Sequence, residues 1–283
     1  ECSAEFGRVG CYDPVFLLSF SIYSLSMGYL DPVEFAGLGL LAMALVSMAS
    51  PEDGVRKLGY EVLGKLKDAL DGSQKKREAT RLKNLLAYFQ NAIEDPWQKI
   101  PSVIAVFIAE ASVILLDPSH DHYAAISKIV EKASQTKLSK INLESIPLFH
   151  DMFWSSSMTF GADRMWVLRL LYAGINAEDD GRIFIRNAVP EILLSVYTSP
   201  LSNNEEKGLI LQVIRGCCIF LSLLFKFHNF LLCQQDFETA VLLTLKDGYI
   251  LFKILLFAMM NNLGHVLFVG KFYFTNFNQL QST

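Results

Sequence analysis

The chain reads as an all-α array of inner and outer helices, of armadillo or HEAT type, and three observations lead there. Helix-opening signals recur: Asp13-Pro14, Asp31-Pro32 and Ser50-Pro51 set prolines 18 and 19 residues apart, each behind a residue able to cap. Segments alternate between nearly uncharged and amphipathic, as 33–49 and 55–70 do, the pattern of a buried helix covered by a half-exposed one. The pair returns on a period of about 40 residues, the length of such repeats.

The elements follow in order. Residues 1–12 form a loose lead-in, and Asp13-Pro14 opens a helix through about Leu25 that Gly28 stops. From Val33 to Ala49 the one charge is Glu34, in the first turn where the helix dipole favours an anion. In the next segment Val55, Leu58, Val62, Leu63, Leu66 and Leu70 keep helical spacing, with Ser50 and Pro51 predicted to open it as Asp31 and Pro32 open its predecessor. Glycines 37, 39, 54, 59 and 64 would each cost about 1 kcal/mol inside a helix, which predicts close helix approach there rather than bends. A fourth helix is expected over 74–94, an apolar inner one over Pro101 to Leu116, and an amphipathic outer one over 121–133. Residues 134–145 read as a linker, followed by a short helix from Pro147 to Trp154, a polar loop and a helix from Ala162 to Ile175. Ala177 to Arg182 reads as a loop, Ile183 to Tyr197 as a helix kinked or broken at Pro190, and Asn203 or Asn204 as the cap of a helix from Glu205 to about Gly216. Beyond 216 eleven of the 21 phenylalanines crowd together and the capping grammar stops, so 216–283 is expected to be a tail distinct from the array of 13–215.

With 25 basic and 29 acidic residues the net charge is −4, so no global field points to nucleic acid and any such contact is local. Five cysteines without metal spacing suit a reducing compartment. The chain opens on Glu1 rather than methionine, as a fragment would. Mean hydropathy is +0.30, and two stretches, 14–30 and 35–51, are uncharged over 17 residues. Acids flank both where a membrane span carries Lys or Arg, so buried array helices are the reading adopted.

Several separated motifs resemble one family. Asp13-Pro14-Val15-Phe16-Leu17-Leu18 resembles its D-P-x-F-L-L opening, and Arg56, Tyr60 and Leu63 its R-x-x-x-Y-x-x-L. Phe107-Ile108-Ala109 with Ala111, Trp166-Val167-Leu168 with Leu170 and Leu171, and Ser199-Pro200-Leu201 are similar to F-I-A-x-A, W-V-L-x-L-L and S-P-L. Their order over 13 to about 215 resembles the C-terminal domain of the nucleolar pre-ribosomal-associated protein one family. The resemblance implies a nucleolar, non-catalytic scaffold in large (60S) subunit assembly and pre-rRNA processing, with pre-ribosomal proteins and pre-rRNA as partners. It implies no catalytic residue, cofactor, small-molecule substrate or membrane. The runner-up is a solenoid adaptor with protein partners alone.

The candidate RNA or partner face is the basic run Arg56, Lys57, Lys65, Lys67, Lys75, Lys76, Arg77, Arg81 and Lys83, nine cations against four acids between 55 and 83. Such a face neutralises phosphates; the bland reading is the solvated side of two helices. Trp97 and Trp154, at helix edges, are candidate partner anchors, and Trp166 belongs to a core stripe. Asp117 with His120-Asp121-His122 reads as a helix start rather than a metal centre, since nothing nearby completes a tetrahedron. Glu144, His150, Asp151 and Ser155 to Ser157 lack a nucleophile elbow, and Gly37-Leu38-Gly39 lacks the spacing of a phosphate cradle.

Overall fold

A computed structural model describes residues 13–135, 140–155 and 158–228, and of residues 134, 135 and 218–228 the backbone alone. Among the described residues there are twelve helices and no strand. They fall into two compact units divided between Gly174 and Ile175. The lead-in 1–12, Ser156, Ser157, linker residues 136–139 and tail residues 229–283 lie outside the described residues.

The first unit opens with α1 (Pro14–Met27), where the Asp13 carboxylate accepts the Val15 amide at 2.9 Å and Gly28, at φ +67°, closes the helix. Asp31 repeats the cap for α2 (Pro32–Gly37), accepting from Val33 at 2.9 Å. The expected single helix 33–49 is instead two, because Gly39 takes φ +80° and α3 (Leu40–Ser47) starts afresh behind it. A left-handed residue ends an α-helix, and glycine adopts that conformation without a Cβ clash. The expectation of close approach therefore fails at Gly37 and Gly39 and holds at Gly59 of α4 (Asp53–Leu70), where a Cβ would sit 2.9 Å from the Ala44 carbonyl of α3. Gly54 and Gly64 face open space. Ser50-Pro51 does not open α4 directly; the Ser50 hydroxyl accepts the Glu52 amide at 3.2 Å, forming a turn one residue ahead of the helix.

Next come α5 (Lys76–Gln90), the apolar α6 (Ser102–Ile114), α7 (Tyr123–Gln135), the short α8 (Phe149–Phe153) and α9 (Phe160–Gly174). Inner helices form a row, α3 packing on α4 and α6, and α6 on α3 and α9. Ile104, Ile108 and Ala111 of α6 are fully buried with Leu41 and Leu45 of α3 and Leu168 and Leu171 of α9. α9 crosses α6 closely at Gly174, where a Cβ would come within 2.6 Å of the Val103 Cα. Outer helix α5 packs on α7, and the Ile141 amide donates to the Tyr88 carbonyl at 3.3 Å, tying the segment after α7 back to α5.

In the second unit the expected loop 177–182 is helical. α10 (Glu178–Arg186) starts on three consecutive acids, which the helix dipole favours, and the Asp180 carboxylate accepts the amides of Ala177 at 2.9 Å and Asn176 at 3.2 Å. The break falls at Asn187 and Ala188, the latter at φ +51°, ahead of Pro190, which sits in the first turn of α11 (Val189–Tyr197) where its missing N–H costs nothing. Asn203 caps α12 (Asn204–His228): its side-chain oxygen accepts the Glu206 amide at 2.7 Å while Glu206 accepts the Asn203 amide at 3.2 Å. The α12 backbone runs on past Gly216, the residue at which the tail was expected to begin.

Candidate binding faces

The basic run spreads over α4, α5 and the turn between them, and the structure divides it into three sets. Arg56 turns inward: its guanidinium, only 13% exposed, donates to the carbonyls of Ser50 (2.9 Å), Pro51 (3.0 Å) and Trp97 (3.3 Å) and pairs with Asp53. Arg81 lies over the Tyr123 ring of α7 at 5.3 Å. Arg56 thus braces α4 against the turns at 50–51 and 97, and Arg81 braces α5 against α7.

A second set is paired at the surface. Lys75 meets Glu34 at 3.2 Å, Lys83 meets Asp71 at 2.5 Å, Lys76 donates to the Asp71 carbonyl at 3.2 Å, and Lys67 donates to the Gln90 side chain at 3.1 Å. The Lys83 hydrogen bond holds the Asp71 carboxyl below the usual range. Exposed pairs of this kind are screened by water and salt and contribute little to stability. Glu34, remote in sequence, joins this set in space because the buried Ser73 hydroxyl donates to Asp31 at 3.1 Å, fastening the α4–α5 turn to the start of α2.

Lys57, Lys65 and Arg77 form the third set, exposed and without an ion pair among the described residues. Lys57 and Lys65 are two turns apart on α4, about 12 Å along its axis, a distance a nucleic-acid backbone covers in two phosphates.

The tryptophans differ. Trp97, 45% exposed, sits at φ +59° on a turn that α4 grips twice, through Arg56 and through the Tyr60 hydroxyl, which donates to the Gln98 carbonyl at 2.7 Å. Its ring meets Tyr60 edge-on at 5.6 Å. Burial pushes the Tyr60 hydroxyl up to about 12, with the Arg56 charge pulling the other way. Trp154, 55% exposed, stands edge-on to Phe153 at 5.7 Å at the end of α8. Trp166 is half-buried against the His122 ring at 4.9 Å.

The residues at 117–122 build a turn. Asp117 accepts the Ser119 amide at 3.0 Å and the Ser119 hydroxyl at 2.6 Å, and His120 Nδ1 accepts the His122 amide at 3.2 Å. His122 itself is buried with its Nδ1 3.3 Å from the Asp163 carboxylate on α9, a pairing across 41 positions that no local motif announces. Burial holds the His122 imidazole below its ordinary value of 6.5, against the pull of Asp163. Among the described residues no group of three or more His, Cys, Asp or Glu side chains is placed to hold a metal ion, and no helix is long and apolar enough to cross a membrane. His150 lies against the Phe149 ring at 5.0 Å.

Helices stacked in neighbouring layers, twelve among the described residues and with no strand, define an all-α, helical-repeat type of protein. The chain belongs to the nucleolar pre-ribosomal-associated protein 1 family, whose profile matches residues 41–222. It is similar to the mouse protein of that name, 29% identical over 206 residues covering 72% of this chain, and to the human one, 26% identical over 208 residues covering 73%. The chain spans 9% of the length of each of these relatives. No solved structure matches it.

Proposed function

We propose that this chain is part of a nucleolar, non-catalytic scaffold of large-subunit ribosome assembly, and that its α4–α5 surface contacts pre-rRNA. Family membership across 41–222 carries the assembly reading, since the matched relatives are named nucleolar and pre-ribosomal-associated. Lys57, Lys65 and Arg77 are the first residues to meet phosphate, because nothing has to be displaced; Lys67, Lys75, Lys76 and Lys83 follow by leaving weak surface partners. Trp97 and Trp154 serve as anchors for assembly-factor proteins.

Gradient sedimentation of the tagged chain from nuclear extract, with and without ribonuclease, tests the assembly reading: co-migration with large-subunit precursors that ribonuclease abolishes is expected. Charge reversal at Lys57, Lys65 and Arg77 tests the contact, with the salt dependence of pre-rRNA binding expected to flatten by about 2–3 in log–log slope. The pairing of Lys75 and Lys83 with Glu34 and Asp71 favours a second reading, an adaptor with protein partners only, under which charge reversal leaves RNA association unchanged.

A further inference from the structure

Trp97 is exposed by 45% and sits at φ +59°, a left-handed backbone that a bulky side chain adopts only where its surroundings hold it. Three side chains hold it here. The Arg56 Nε donates to the Trp97 carbonyl at 3.3 Å, and the Tyr60 hydroxyl donates to the Gln98 carbonyl at 2.7 Å. The Gln98 side-chain oxygen accepts the Glu94 and Asp95 amides at 2.9 and 3.4 Å. The turn so fixed presents its indole to water, edge-on to the Tyr60 ring at 5.6 Å.

The Arg56 guanidinium also gathers the charges around that ring. It binds the carbonyls of Ser50 and Pro51 and the Asp53 carboxylate as well as the Trp97 carbonyl, so the start of α4 and the turn 94–98 share one surface. That surface carries four carboxylates, from Glu52, Asp53, Glu94 and Asp95. Glu52 and Asp95 are exposed and make no ion pair among the described residues, and Asp53 keeps 74% of its side chain in water while it meets Arg56. The cations at hand are committed or turned away. Arg56 is held by the carbonyls, Lys140 by Glu94 at 3.0 Å, and Lys99 is half-buried and engaged within the chain. Lys57 lies about 100° around α4 from Arg56.

We infer that Trp97 receives an arginine side chain from a basic protein segment, with the guanidinium stacked on the indole and its charge met by Glu52, Asp53 and Asp95. A planar, weakly hydrated guanidinium is the side-chain cation that stacks on an aromatic face, and carboxylates beside the ring offset its charge. The same carboxylates repel the phosphates of a nucleic-acid strand, which go instead to the lysines and Arg77 further along α4 and α5. The inference rests on the reading of Trp97 as a protein anchor and adds the chemical class of side chain that the anchor takes.

The test titrates the full chain into a fluorescein-labelled peptide of alternating glycine and arginine, and into its citrulline counterpart, which keeps the planar head group and loses the charge; anisotropy reads the binding. The arginine peptide is expected to bind about tenfold more tightly than the citrulline one. Trp97→Leu should weaken its binding about tenfold, Trp97→Phe by less, and Glu52→Gln with Asp95→Asn about threefold. Tyr172→Leu, which removes an exposed aromatic from α9, should leave it unchanged. Circular dichroism of each variant is expected to match the parent, since all these side chains are exposed. Equal binding of the two peptides overturns the inference, as does a Trp97→Leu chain that loses pre-rRNA and keeps the arginine peptide. The anchor reading is tested apart, on proteins that stay with the tagged chain through ribonuclease treatment of nuclear extract. If Trp97→Leu sheds none of them, that reading falls and the inference with it; if it sheds them while peptide affinity holds, the arginine inference alone falls.

Discussion

Substituting Gly59 and Gly64, five residues apart on α4, should move stability in opposite directions. An added methyl gains about 1 kcal/mol of helix propensity at either site. At Gly64 nothing lies within 4 Å of the new atom, so Gly64→Ala keeps the gain, about 0.5–1 kcal/mol. At Gly59 the methyl collides with the Ser47 hydroxyl and comes within 2.9 Å of the Ala44 carbonyl, which is backbone and cannot turn away. Overpacking of this kind costs about 1–3 kcal/mol, leaving a net loss of about 0–2 kcal/mol, centred near 1, for Gly59→Ala once the propensity gain is subtracted. In urea, followed by helical circular dichroism, an m-value of about 3 kcal/mol/M converts that loss into a midpoint about 0.3 M lower, against a rise for Gly64→Ala. Adding Ser47→Ala removes the nearer obstacle and leaves the Ala44 carbonyl, so the double variant should recover part of the loss, with a coupling of at least about 0.5 kcal/mol. A Gly59→Ala protein as stable as Gly64→Ala would refute the packing of α3 on α4 from which the numbers come.

Three further outcomes follow from individual side chains. The folded-state value of His122 lies below 6.5, so the unfolded chain binds more protons as pH falls through that range, and the His122 contribution to stability is lost on acidification; His122→Gln should show a flatter melting temperature between pH 7 and pH 5 than the parent, and equal slopes would contradict the burial assigned to it. Arg56→Ala leaves the carbonyls of Ser50, Pro51 and Trp97 without their shared donor and should cost about 1–2 kcal/mol in urea denaturation, with faster proteolytic cutting near Trp97 than elsewhere. Asp180→Ala withdraws the acceptor for the amides of Asn176 and Ala177 at the start of α10 and should cost about 1 kcal/mol, read from the same denaturation curve.

The all-α architecture was legible because its signals are local. Asp13 and Asp31 cap where aspartate-proline predicts, and the alternation of charge marks which helix is inner, as the fully buried face of α6 confirms. The misjudged boundaries had rivals of similar local energy. Gly37 and Gly39 fit either a close crossing or a left-handed stop, and the folded backbone takes the stop, with Gly39 at φ +80° and open space at both positions. The start of α10 was hidden because Glu178, Asp179 and Asp180 suit a loop as well as a first turn, and the deciding bonds run to backbone amides. Of the candidate surface, the charges were visible but their partners were not. Glu34 lies 41 positions from Lys75, and the carbonyls that occupy Arg56 belong partly to a turn 41 positions away.

That pattern bears on what the family motifs record. Arg56 and Tyr60, which carry the resemblance to R-x-x-x-Y-x-x-L, grip adjacent carbonyls of one turn, at 97 and 98, while Leu63 on the same helix is buried. The turn they hold leads directly into α6, whose Phe107, Ile108 and Ala111 are buried, and α6 in turn meets α9, where Val167, Leu168 and Leu171 are buried. Three of the five motifs therefore lie along one continuous set of joints from α4 through α6 to α9. Residues that hold joints fix the spacing of successive helices and leave the outer faces unconstrained by packing, so two members of the family can share every motif and present different surfaces. Binding specificity in such a protein has to be sought at positions like Lys57, Lys65 and Arg77, where no side chain is needed to hold the fold.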